Sequence, residues 1–164
     1  MDLTSFAASW FFPFALPICL YVAFTDLREM RITNQAVLVL AGLFVVLGLI
    51  ALPFDTYLWR LAHLGIVLIF GILLNAAGVM GAGDAKFIAA AAPYIALGDL
   101  RLLLGLFAAV LIAAFLAHRL AKHTGLRQIA PHWQSWDQGS KFPMGLALGF
   151  TLALYLGLGL IYGR

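Results

Sequence analysis

Two carboxylates, Asp26 and Asp84, stand at the edges of long apolar runs, where an ionisable group is costly enough to need a purpose. Two such acids brought within a few ångströms share one proton at moderate pH, because adjacent negative charges repel. The ionised member then takes a proton from water while the protonated member donates to a carbonyl oxygen, which is general acid–base hydrolysis of an amide. Gly81 and Gly83, just before Asp84, permit positive φ and a close backbone approach, as suits a site that admits an extended peptide. A helix beginning near Asp84 sets its positive dipole end beside that carboxylate.

The elements that must position these acids are built for lipid. Of 164 residues, 64% are hydrophobic and only 10% are charged, and the mean hydropathy is +1.02. Those values exclude a soluble domain. The fold class they imply is an all-α integral membrane protein, a bundle of about six transmembrane helices in a single domain over residues 1–164. The spans fall at about 6–24, 36–54, 61–80, 86–97, 102–117 and 142–162, with a loop over 118–141. A removed signal peptide fits the first run poorly, since Asp2 precedes it without a lysine or arginine and no small-x-small cleavage site follows. Pro13 and Pro17 are expected to kink that helix without ending it. A polar link over 25–35 and a short turn over 55–60 follow. The fourth run offers only about a dozen residues, roughly 20 Å of helix against about 30 Å of hydrocarbon, so one of its ends is sunk below the interface. Asp84 then lies in a partly desolvated, wet recess.

Six crossings define two faces. Arg28, Arg31, Lys86, Arg119, Lys122, Arg127 and Lys141 fall on one, and Arg60, Arg101 and Arg164 on the other, which assigns the first face to the cytoplasm and both termini to the outside. The same parity puts Asp2, Asp55 and Asp99 outside and Asp26, Glu29, Asp84 and Asp137 on the cytoplasmic face. Asp137 is expected in a solvated loop and Glu29 a turn further into water, which leaves Asp26 as the partner of Asp84. His63 and Asn75 are expected to make interhelical hydrogen bonds. His118, His123 and His132 match no common zinc spacing, and the single cysteine, Cys19, completes no metal or disulfide set. No metal and no cofactor is therefore expected. No basic run is interleaved with stacking aromatics outside the apolar segments, so no nucleic-acid partner is expected.

Three segments carry a family resemblance. Gly81-Ala82-Gly83-Asp84 resembles the Gly-x-Gly-Asp signature of the intramembrane aspartic proteases, and Lys86 matches the lysine that commonly follows it in type IV prepilin peptidases. Thr25 to Asn34 is similar to that family's other acidic motif, an Asp-x-Arg (here Asp26 and Arg28) followed by Ile-Pro-Asn ending at Asn34, with Thr33 where proline is usual. Phe142-Pro143-Met144-Gly145 resembles the opening of the family's last span. The resemblance implies a bacterial inner-membrane endopeptidase whose substrate is a prepilin or pseudopilin, a basic leader joined to an apolar helix, and which removes that leader at the cytoplasmic face, with Asp26 and Asp84 as its catalytic pair. Gly81, Gly83, Lys86, Arg28, Asn34, Pro143 and Gly145 are the supporting motif residues. Larger members carry a cytoplasmic insertion with paired cysteines and also methylate the new amino terminus. This chain is similar to the short form associated with tight-adherence (Flp) pili, so peptidase activity alone is expected, with no S-adenosylmethionine site.

Other readings compete. Asp84 can be a helix N-cap, and Asp26 an interfacial acid paired with Arg28 or Arg31. Lys86 and Arg28 can contact lipid phosphate. A proton- or cation-coupled transporter can use the same acid pair, although polar groups through the full depth of the bundle are then required. A non-catalytic pilus-assembly scaffold needs only the bundle and its loops.

Overall fold

The computed structural model describes residues 1–139 and 141–164. Its α-helices are α1 (Ser5–Glu29), α2 (Asn34–Ala51), α3 (Phe54–Ala76), α4 (Ala82–Ala91), α5 (Leu100–His123) and α6 (Met144–Tyr162). Among the described residues there is no strand. All but α4 are long and apolar enough to cross a membrane, so the protein is an all-α membrane bundle.

The buried residues of α1 recur at helical spacing. Ala8, Phe11, Ala15, Cys19, Val22 and Asp26 form one stripe that runs straight from the core to the acid. Arg28 and Glu29 fall off the stripe and pair with each other at 3.5 Å on the exposed side. Pro13 and Pro17 lie inside α1 without ending it. The helix continues through part of the expected polar link and stops only at Met30, whose backbone is left-handed (φ 51°). Apolar periodicity marks where lipid ends, and a helix can run on into the interface beyond it. The remaining link is Met30 to Thr33, and the Thr33 hydroxyl opens α2 by accepting from the N–H of Ala36 at 3.3 Å. Thr33 thus supplies a cap where a proline is usual in the resembling motif. The expected turn at 55–60 is likewise helical, because α3 starts at Phe54 directly after Pro53.

Helix α6 lies closely along α1. A Cβ at Gly149 would stand 2.6 Å from the Cys19 carbonyl oxygen, so only glycine allows this approach. Gly71 of α3 does the same for α4, where its Cβ would meet that of Ala85 at 3.0 Å. Helix α4 has 10 residues, about 15 Å of rise, and two 3-10 turns, Ala92–Tyr94 and Leu97–Asp99, carry the chain on to α5.

The end of the bundle remote from Asp84 holds a polar network. Asp99, expected as an outer-face loop acid, is buried. It accepts from the backbone N–H groups of Asp2 and Leu3 at 2.8 and 3.0 Å and from the Tyr155 hydroxyl at 2.9 Å. The buried Arg60 donates to the carbonyls of Pro93 and Tyr94, which the break after α4 leaves without helical partners. Among the described residues His63 and Asn75 do not make the expected interhelical bonds. Asn75 donates to the Met80 carbonyl in the loop that follows its own helix, at 2.8 Å, and His63 packs edge-on against Trp59. His118 is not in a solvated loop, since α5 extends to His123 and buries His118 against Trp136 with ring centroids 4.9 Å apart. Asp137 is exposed but paired, with Arg127 at 2.7 Å.

Candidate active site

Asp26 and Asp84 face one recess of about 930 Å³, reached from α1, α4 and the start of α6. Asp26, in the last turn of α1, is 5% exposed. Its Oδ2 accepts from the backbone N–H of Gly145 at 2.6 Å. A Cβ at Gly145 would meet the Asp26 Cβ, Oδ2 and Cγ at 3.0–3.1 Å. The glycine both donates to the carboxylate and leaves room for it. Pro143, fully buried, takes up the position just before α6 and sets the direction from which that N–H arrives.

Asp84 is the third residue of α4, in the first turn, where free backbone N–H groups favour an anion. The N-cap is Gly81, so Asp84 is not the cap. Neither Gly81 nor Gly83 takes up the positive φ that glycine permits; among the described glycines that conformation belongs to Gly78 and Gly139. Their use is space. A Cβ at Gly81 would stand 2.8 Å from Asp84 Oδ2, and one at Gly83 would stand 3.3 Å from the Cβ of Ile32. Ile32, buried in the link between α1 and α2, therefore seats the start of α4 against the segment that carries Asp26.

A second tie joins the same two segments. Lys86 Nζ donates to Asn34 Oδ1 at 3.0 Å, linking α4 to the first residue of α2. Two of the motif residues expected to support the acids thus meet each other beside the recess, and both line it. Arg28 does not: it is paired with Glu29 outside. Arg31 and Lys141 line the recess instead. Both stand inside or directly beside the motif segments, so adjacency was the signal that could have found them. Among the described residues no salt bridge involves Asp26 or Asp84, which removes the reading of Asp26 as an acid neutralised by Arg28 or Arg31. Three cationic side chains, Arg31, Lys86 and Lys141, share the recess with the two acids without closing onto them. Among the described residues no three His, Cys, Asp or Glu side chains converge as a metal site.

The arrangement suits water activation. Two carboxyls from different helices line one recess roomy enough for water and a peptide, one of them fixed by a backbone donor. No curated protein and no solved structure matches the chain significantly. In comparison with protein families, residues 14–118 match the type IV leader peptidase family. The matched region contains both acids and the Gly81–Lys86 segment and stops short of Pro143 and Gly145. It covers well over half of the 164 residues, and the chain belongs to the type IV leader peptidase family.

Proposed function

We propose that this protein is a membrane-embedded aspartic endopeptidase that removes the leader from prepilin or pseudopilin precursors, with Asp26 and Asp84 as its dyad. The observation that carries the reading is that both acids, from α1 and α4, line one recess, with Gly145 orienting Asp26. One carboxylate takes a proton from a water molecule, and the resulting hydroxide adds to the carbonyl carbon of the scissile amide while the other carboxyl protonates the carbonyl oxygen. Collapse of the tetrahedral intermediate breaks the C–N bond. The leaving nitrogen takes up the proton, giving a leader carboxylate and a free amino terminus.

The excess of Lys and Arg on the Asp84 side of the spans supports a cytoplasmic recess in a bacterial inner membrane with both termini outside. The activity is read as cleavage without methylation, of the Flp pilus type, supported by the one cysteine, Cys19, being buried in α1. Gly81, Gly83, Lys86, Asn34, Pro143 and Gly145 act as positioning residues, while Arg28 has no part in the recess. Mass spectrometry of a co-expressed prepilin tests the reading. Leader removal by the wild type, lost in Asp84→Asn protein that inserts normally, is expected; an ion flux in liposomes abolished by the same change, with no leader removed, supports transport instead.

A further inference from the structure

A second cavity, of about 230 Å³, lies between α4, α5 and α6. Its walls include Phe87 and Ile88 from α4, Leu103 and Leu104 from α5, and Leu148 and Thr151 from α6. The Thr151 hydroxyl is already engaged, donating to the Ala147 carbonyl at 2.7 Å, so the space offers no polar partner. On its α5 side the packing is loose. Of the 24 residues of α5, only His118, near its far end, is buried. Leu104 is a wall residue and yet 64% exposed, so the cleft opens sideways between α5 and its neighbours.

This cleft and the acidic recess share two walls. On α4, Asp84 lines the recess and Ile88 lines the cleft; on α6, Met144 lines the recess and Leu148 lines the cleft. Each pair is four residues apart, about 6 Å of helical rise. On both walls the charged recess passes into the apolar cleft within one helical turn, and both helices run from the recess towards the opposite end of the bundle.

From these shared walls we infer that the cleft docks the apolar segment of the substrate that follows the scissile bond. The inference rests on the peptidase reading above. A helix is about 10–12 Å across with its side chains, and the cleft is smaller than the roughly 300–1,000 Å³ of a small-molecule pocket. It therefore takes projecting aliphatic side chains, not a whole helix. A lipid chain fills the cleft alone and leaves the recess unmatched. A peptide with a polar stretch joined to an apolar helix fills both, and its register in the cleft sets which peptide bond lies between the acids. Leu104 and the neighbouring wall of α5 then act in specificity, without touching the reacting atoms.

The test uses a prepilin that the wild-type protein processes, in proteoliposomes, and a peptide cut from it that ends two residues after the cleavage site. Leu104→Trp fills the cleft from an exposed position, so no buried contact is lost. Expected is a rise in KM for the full-length prepilin of at least about ten-fold with little change in kcat, and no change for the short peptide. A photo-crosslinking residue at position 104 is expected to capture the prepilin in the Asp84→Asn background, and the same residue at Val46, an exposed position on α2, is not. Equal KM for wild type and Leu104→Trp, with capture of lipid alone at position 104, overturns the inference while cleavage stands. Capture of the prepilin at Val46 as readily as at position 104 likewise overturns the docking site, whereas failure of the wild type to process any prepilin overturns the peptidase reading itself.

Discussion

The backbone N–H of Gly145 donates to Oδ2 of Asp26 at 2.6 Å, joining the first turn of α6 to the last turn of α1 across 119 positions of sequence. The bond depends on glycine, since any Cβ there would stand 3.0 Å from the carboxylate it serves. Gly145→Ala is expected to turn the Asp26 side chain and lower prepilin cleavage by at least about ten-fold, the scale of a misplaced catalytic group. Leader removal followed by mass spectrometry, beside a melting curve in detergent, separates this from unfolding.

Lys86 and Asn34 tie α4 to α2 beside the recess through one exposed hydrogen bond. Exposed pairs of this kind contribute little to stability, so Asn34→Ala is expected to shift folding by no more than about 0.5 kcal/mol. Cleavage is expected to fall several-fold, because the tie holds α4, which carries Asp84, against the start of α2, which follows the Asp26 helix by a short link. Asn34→Asp keeps an acceptor for Lys86 and is expected to restore the rate. A rate unchanged in Asn34→Ala contradicts the positioning role.

The close approach of α1 and α6 predicts a stability effect. Gly149→Val places a side chain against the Cys19 carbonyl, where a Cβ alone would already stand at 2.6 Å. Thermal unfolding in detergent is expected to show a loss of about 1–3 kcal/mol or more, as for overpacking. Gly42→Ala, in α2 with nothing within 4 Å of the added carbon, is the contrast. It is expected to be neutral or slightly stabilising, because alanine is the better helix former.

The network around Asp99 predicts a separation of stability from chemistry. Tyr155→Phe strips the Ala96 N–H of its acceptor and Asp99 of one donor. Leaving such buried groups unpaired costs about 1–3 kcal/mol. Tyr155 lies ten residues along α6 from Gly145, about 15 Å away, so the cleavage rate per folded molecule is expected to hold. A melting curve and an activity measurement on the same preparation check both halves.

The site was legible in the sequence where chemistry and chain order coincide. Asp26 and Asp84 are acids at lipid edges, and counting spans put them on one face; the structure brings them to one recess. Helix ends were less legible, because hydropathy marks lipid and not hydrogen bonding, so Asp26 falls inside α1 and not after it. The glycines were legible as special, and of the two freedoms they allow, positive φ and close approach, Gly81 uses the second, clearing Asp84. Arg28 fits the motif's spacing yet lies off the buried stripe of α1. Asp99 was illegible, because its partners are two backbone N–H groups 96 and 97 positions away and a tyrosine from α6. No local pattern encodes those contacts.

Asp26 and Asp84 are proposed to act as one unit, and comparing single with double substitutions distinguishes a unit from two independent acids. Cleavage rates of a co-expressed prepilin are compared for Asp26→Asn, Asp84→Asn and the double variant, each at matched membrane insertion. Groups that act together are non-additive, so each single change is expected to bring leader removal down to background, with the double variant no slower than either. Wild-type leader removal by either single variant contradicts the dyad.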